Sequence, residues 1–476
     1  MTSRHSPLLL PLLSCLLAGC ISVGPDYVKK DFPVPSRYVS LQQGTAKGDA
    51  VGDELMRKWW KVFDDSVLEN LMEKATRQNL DVRIATARVR QARARAMISS
   101  AALLPEGGLR GDYERVRRPE EPFIAPDQKG RYQSLYLAGF DASWEIDVFG
   151  GVRRDIEAFL AALEASHEGL RDTLITLQAE VGRNYIEVRG IQHRLAIARQ
   201  EVAIRQENVE ITEARSKAGL VSELDWARAQ GELANTEAVI PSLERALKAA
   251  IHRLEVLLGQ EPGSIEDTLA GSFQLPRVPS DIPVGLPSDL LRRRPDIRKA
   301  ERELAEATAR IGVSTADLFP RFSLTGSFGY EADQPGRVFR DPSNFWLINP
   351  ALRWPILNFR RILAQIDSTK AVREETLARY EKTVLLSLEE VENALVALSR
   401  EELRVKALSE SVRANDLAVR LAKDRYLAGI QSYLAVIDAQ RALYFAEDQL
   451  AQSRQNQALA LVALYKALGG GWQYGD

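Results

Sequence analysis

The 476-residue chain has two cysteines, Cys15 and Cys20, and four histidines. Two cysteines five residues apart provide no disulfide framework and no cysteine-based metal site. No run of about 18 apolar residues occurs, so no transmembrane helix is available. Charge of one sign is also missing: 63 basic residues stand against 65 acidic ones, for a net charge of −2. That balance argues against nucleic-acid binding as the main activity. No G-x-S-x-G, P-loop or dinucleotide fingerprint appears. His167, His193 and His252 lie far apart along helical segments and suggest no metal pair, so no enzyme, metal or cofactor is expected. Hydrophobic residues make up 45% and charged residues 27%, ordinary globular usage. Composition by itself describes a large soluble helical protein.

The N-terminus changes that description. Arg4 and His5 precede the apolar stretch Leu8–Leu17, too short to span a membrane, and small residues follow. This is the layout of a secretory signal. Its end, Leu17-Ala18-Gly19-Cys20, resembles the lipobox of bacterial lipoproteins, which are cut before the cysteine and acylated on it. Residues 1–19 are then a signal peptide, and Cys20 carries lipid. Ile21 rather than Asp after the cysteine resembles the sorting signal for the outer membrane of a Gram-negative cell.

The body is a duplication. Leu80-Asp81-Val82-Arg83 through Leu103-Leu104-Pro105 matches Pro295-Asp296-Ile297-Arg298 through Leu318-Phe319-Pro320 at an offset of 215. Trp144, Ile146 and Phe149 match Trp354, Ile356 and Phe359 at an offset of 210. So do Arg215, Ala218, Gly219, Ser222 and Leu224 with Arg425, Ala428, Gly429, Ser432 and Leu434. Residues 78–259 and 290–468 are two copies of one unit, joined by a Pro- and Gly-rich segment, 260–289. Residues 20–77 precede them, and a tail, 469–476, follows.

Each copy has one internal order: a helix (78–104, 290–318), a β region (107–146, 321–356), a very long helix (151–217, 361–427), a Gly-containing turn, and a returning helix (222–258, 432–468). Leu177, Val181, Val188, Ile191, Leu195 and Ala198 keep a 3–4 spacing, broken by Asn184; Val384, Leu388, Val391, Leu395 and Leu398 do the same. That is a coiled-coil seam. In the β regions Phe322, Leu324, Gly326, Phe328 and Tyr330 alternate with polar neighbours. Tyr136, Ala138, Phe140, Ala142 and Trp144 do so too, as do Trp346, Ile348 and Leu352. Strands of 10–12 residues with this alternation suit a transmembrane barrel, although a half-buried strand of a soluble sheet alternates in the same way. Four strands cannot close a barrel, and an open edge in lipid is not viable. Three copies supply twelve strands and twelve helices, so a homotrimer is expected. A lipid-anchored periplasmic coiled-coil adaptor without a pore is the alternative.

Four motifs in order resemble a known family. They are Val23-Gly24-Pro25-Asp26-Tyr27, Trp59-Trp60-Lys61-Val62-Phe63-Asp64-Asp65, Leu290-Leu291-Arg292-Arg293-Arg294-Pro295-Asp296, and Ser432-Tyr433-Leu434 with Asp438-Ala439-Gln440-Arg441. The chain resembles TolC-like outer membrane factors, of the NodT-type lipoprotein branch. The resemblance implies a trimer, mainly α with transmembrane β: a 12-stranded outer-membrane barrel continuous with a 12-helix periplasmic α-barrel. A collar would be built by segments near 40–70, 260–290 and the C-terminal tail. It implies an exit duct of a tripartite efflux system, partnered by a periplasmic adaptor and an inner-membrane pump of the RND type. The turn residues Ala218, Gly219, Leu220, Ser222, Ala428, Gly429, Ile430 and Ser432 would meet the adaptor. Gly frees the backbone there, and Ser is expected to cap the next helix. Asp225, Arg425, Tyr426, Leu434, Asp438 and Arg441 would form the periplasmic gate.

Overall fold

The computed structural model describes residues 22–29, 32–42, 46–47, 52–117, 119, 132–270, 275–279 and 282–472. Cys15, Cys20, Ile21 and most of the loop between the first two strands lie outside them. The longer helices are α1 (Ser66–Gln78), α2 (Leu80–Ala101), α3 (Gly151–Lys217), α4 (Glu223–Glu237), α5 (Val239–Leu257), α6 (Pro287–Arg293), α7 (Pro295–Ala316), α8 (Phe359–Leu427) and α9 (Tyr433–Ala467). The longer strands are β1 (Glu106–Arg117), β2 (Tyr132–Ile146), β3 (Arg321–Ala332) and β4 (Asn344–Arg353), and the two-residue segments Ala46–Lys47 and Ile282–Pro283 pair in parallel. At 1.5 Å per residue the 67-residue α3 and the 69-residue α8 are each about 100 Å long. No described helix is long and apolar enough to cross a membrane.

The chain divides into two compact units. One comprises residues 1–30, 88–166 and 299–380; the other comprises 31–87, 167–298 and 381–476. The first holds the sheet, ordered β1-β2-β3-β4 and antiparallel throughout. Its register settles which residues share a face. Leu109, Phe140, Phe328 and Trp346 stand in one row across the four strands. The row two residues along is Gly107, Ala142, Gly326 and Ile348, on the same side. The intervening row, Gly108, Asp141, Ser327 and Leu347, faces the other way, with Glu106, Ser143, Thr325 and Asn349 beyond it. One face is therefore apolar and aromatic, and it is bare: Leu109 is 92% exposed, Trp346 73% and Ile348 66%. The indole N–H of Trp144 donates to the Leu103 carbonyl at 3.0 Å, and that of Trp354 to Leu318 at 3.0 Å. The duplication thus repeats the same tie between strand base and preceding helix.

The second unit holds the turns and a core around Trp59. Its ring stacks on Tyr465 at 5.7 Å and meets Trp60 edge-on at 5.9 Å. The backbone N–H of Gly471 donates to the Met56 carbonyl at 2.8 Å, and Trp472 Nε1 donates to the Arg293 carbonyl at 3.1 Å. The coiled-coil seam is buried at Leu177, Val181, Val188, Ile191, Leu195 and Ala198. Asn184 does not interrupt the helix: its side-chain amide donates back to the Glu180 carbonyl at 2.7 Å.

Two expected helices, 290–318 and 222–258, are divided, and a separate helix precedes the one expected at 78–104. Asn79 separates α1 from α2; its side-chain oxygen accepts from the N–H groups of Asp81 and Val82, and its amide donates to the Leu257 carbonyl. Arg294 separates α6 from α7 because Pro295 pushes the residue before it out of the helical region, to φ −75° and ψ 117°. The expected helix 222–258 breaks at Ala238. Pro241 has no N–H for the Glu237 carbonyl and its ring crowds that oxygen. The second copy has Ala451 at the equivalent position, and α9 runs unbroken for 35 residues.

Candidate functional site at the helical turns

The two turns are built alike. Gly219 and Gly429 take φ of 69° and 72°, the left-handed conformation that ends a helix. The Leu220 N–H donates to the Arg215 carbonyl and the Gly219 N–H to Ser216; Ile430 and Gly429 bond Arg425 and Tyr426 in the same pattern. These are Schellman closures, and they satisfy the last carbonyls of α3 and α8. Ala218, Gly219, Leu220, Ser222, Ala428, Gly429, Ile430 and Ser432 are all exposed. Leu220 is 69% and Ile430 76% exposed, two bare apolar side chains. The expected serine caps are absent. Ser222 and Ser432 occupy the capping positions with extended backbone, but neither side chain makes a cap hydrogen bond. Their backbone carbonyls accept instead, from the N–H groups of Asp225 and Ala435.

Behind the turns, Tyr426, Tyr433, Val436, Ile437 and Ala229 form a small buried core, with Val209, Val221 and Ala422 against it. The rings of Tyr426 and Tyr433 are 5.3 Å apart, and the Arg215 guanidinium lies 4.7 Å over Tyr426. Tyr426 thus ties the ends of α3, α8 and α9 together. Arg425 is exposed and forms no ion pair among the described residues. Burial pushes the Tyr433 hydroxyl up to about 12, so it stays neutral.

The two aspartates differ. Asp438 is 62% exposed and 3.9 Å from Arg441. Asp225 is only 19% exposed and stands 3.8 Å from Arg228. Leu434 is exposed beside them. Arg441 is engaged mainly with Glu232 on α4, through its Nε at 2.9 Å and a second contact from Nη2. That hydrogen bonding holds the Glu232 carboxyl below its ordinary range, against the opposing effect of burial.

Deeper still, Arg205 is almost wholly buried. It pairs with Glu201 at 2.7 Å and donates to Gln440 Oε1 at 3.0 Å, which also accepts from Asn208 at 2.9 Å. Burial raises the Glu201 carboxyl, with Arg205 opposing. Sequence reasoning missed Glu201, Arg205, Asn208, Arg215 and Glu232. One signal was present: after Ala198 and Val202 the seam spacing falls on Arg205 and Thr212, polar residues where apolar ones were due. Among the described residues, no group of three His, Cys, Asp or Glu side chains converges as for a metal.

The outer membrane efflux protein family profile matches residues 71–260 and 286–470. Nodulation protein T of Rhizobium leguminosarum bv. trifolii is 34% identical over 468 residues, covering 97% of both chains. The pyoverdine export outer membrane protein OpmQ of Pseudomonas aeruginosa is 32% identical, covering 97% of this chain and 96% of that protein. Among solved structures, the outer-membrane channel OprN superposes with a TM-score of 0.89 at 35% identity, over 95% of this chain and all of that one. The open-state MtrE outer membrane channel of Neisseria gonorrhoeae gives 0.82 at 27% identity, over 94% and 98%. With the family profile matching both repeats and relatives similar over nearly the whole length, the chain belongs to the outer membrane efflux protein family.

Proposed function

We propose that the chain is the outer-membrane exit duct of a tripartite efflux system, closed as a homotrimer and passively conducting small molecules. The observation that carries this reading is the sheet register. Four strands place their apolar residues on one face, and β1 and β4 are left as unpaired edges. A soluble protein does not leave such a face bare, and lipid tolerates no open edge. Edge-to-edge pairing with further copies removes both problems; three copies give twelve strands around a polar interior.

The exposed turns with Leu220 and Ile430 are the surface offered to a periplasmic adaptor, which couples the duct to an inner-membrane pump of the RND type. Asp438, and behind it Asp225, form the carboxylate ring of a gate. Arg441, Tyr426, Leu434 and Arg425 line or brace it. Converging carboxylates favour cations. Cys20 carries the lipid anchor in the outer membrane of a Gram-negative cell. No bound cofactor enters the mechanism, and the energy comes from the pump. The decisive test is conductance of the purified protein in planar bilayers, paired with export by cells lacking it. Channels are expected, and Asp438→Ala is expected to raise conductance or weaken cation block. A protein without channel activity would reject the duct.

A further inference from the structure

The short N-terminal strap Ser22–Lys29 lies in the sheet-bearing unit, where it bridges α3 of the first repeat and α7 of the second. Its contacts are built around one buried cation. Arg154 on α3 is 5% exposed; its Nε donates to the Val23 carbonyl at 3.0 Å, and its Nη2 to Gly24 O at 3.3 Å and Asp26 Oδ1 at 2.6 Å. Glu157 takes the remaining side at 2.7 Å. The Val23 N–H donates to the Phe149 carbonyl at 3.1 Å. Backbone meets backbone on α7: Gly24 has φ 89°, and a Cβ there would collide with Gly312. Gly150, φ 78°, is equally bare because Ser22 sits on it, with Ser22 Cα 2.7 Å from where a Cβ would stand. Farther along, Tyr27 Oη and Lys29 Nζ share the Glu301 carboxylate at 3.2 and 3.0 Å, and Arg302 lies 5.4 Å over the Tyr27 ring.

These contacts are not those of a loose tether. Ser22 is seated against Gly150, four residues past the end of β2. Cys20 is two peptide units from Ser22, and two units reach at most about 7 Å. We infer that the strap is a clasp that holds the lipid-bearing end of the chain against the junction of β2 and α3, so that the anchor positions the sheet for membrane insertion, with Arg154 as its positioning residue. This rests on anchoring at Cys20. A tethering anchor would tolerate any length of spacer, whereas a clasp would not.

The test uses the full chain in cells, with palmitate incorporation and SDS-resistant oligomer measured together. Three variants are compared: Arg154→Ala, Gly24→Val, and a ten-residue Gly/Ser insertion between Ile21 and Ser22. The insertion leaves every strap contact in place and only lengthens the link to Cys20. All three are expected to keep their lipid and to yield at least fivefold less oligomer per lipidated chain. If the insertion variant assembles like the parent while the other two fail, the strap is a structural staple alone and the inference is overturned. If all three assemble normally, it is overturned as well. An unlabelled parent would instead reject anchoring at Cys20, a separate failure.

Discussion

Gly219 and Gly429 show most directly how a residue type sets local structure. Each is the left-handed residue that closes a helix, yet a Cβ on either would meet nothing within 4 Å. A substitution is therefore penalised by backbone conformation, at about 1–2 kcal/mol, and not by a clash that spreads. Gly429→Glu also places a negative charge at a helix C-terminus, where the macrodipole disfavours it. We expect this variant to abolish export and leave the oligomer intact; unchanged drug susceptibility of the cells would refute the turn's role. Glu232 gives a pH signature. Its carboxyl is held low by Arg441, so its contribution is present above the unfolded carboxylate value of about 4.3 and is lost as pH falls below that. The difference in melting temperature between the parent and Glu232→Gln should be largest near pH 7 and shrink toward pH 3. The serines illustrate the converse: Ser222 and Ser432 are good capping types at capping positions, but their backbone carbonyls, not their side chains, take the bonds.

Helices and strands were legible to different degrees. The long helices α3 and α8 were predicted to within two residues at each end, because a seam repeated over so many turns leaves little room for another period. The breaks at Arg294 and Ala238 were not foreseen. Pro241 was visible, but an isolated proline gives a kink or a break according to what packs around it. For the strands, alternation alone was ambiguous. Register places Leu109 of β1 opposite Phe140, and Phe140 opposite Phe328, in one apolar row. The two faces should respond oppositely to charge. Phe328→Lys on the apolar face should destabilise the inserted protein by about 2–4 kcal/mol if that row lies near the bilayer centre. Ser327→Lys, one residue away on the polar face, should have little effect on stability and should change ion selectivity. Heat-modifiable gel mobility and reversal potential measure the two effects, and equal destabilisation would contradict the assignment of faces.

At the scale of the whole molecule, the four-stranded sheet and its two open edges cannot exist alone in lipid. Sedimentation of the detergent-solubilised protein, corrected for bound detergent, should give three times the mass of one chain. A monomer would leave the apolar face unexplained and count against the duct. The absence of a long apolar run, which at first pointed to a soluble protein, is compatible with this because strands cross in short alternating segments.

The sequence alone determined the duplication, the long helices, the turn positions and the family, since each rests on periodicity or on residue types at fixed spacing. Only the tertiary structure decided which side chains meet. Arg205 with Gln440, Glu232 with Arg441, and Arg154 with the strap join residues from 128 to 235 positions apart. Pairings at such separation follow from packing between segments far apart in the chain, which no local pattern encodes. The same holds for the apolar face of the sheet, because a one-residue shift in register would have turned every side chain of a strand to the opposite side.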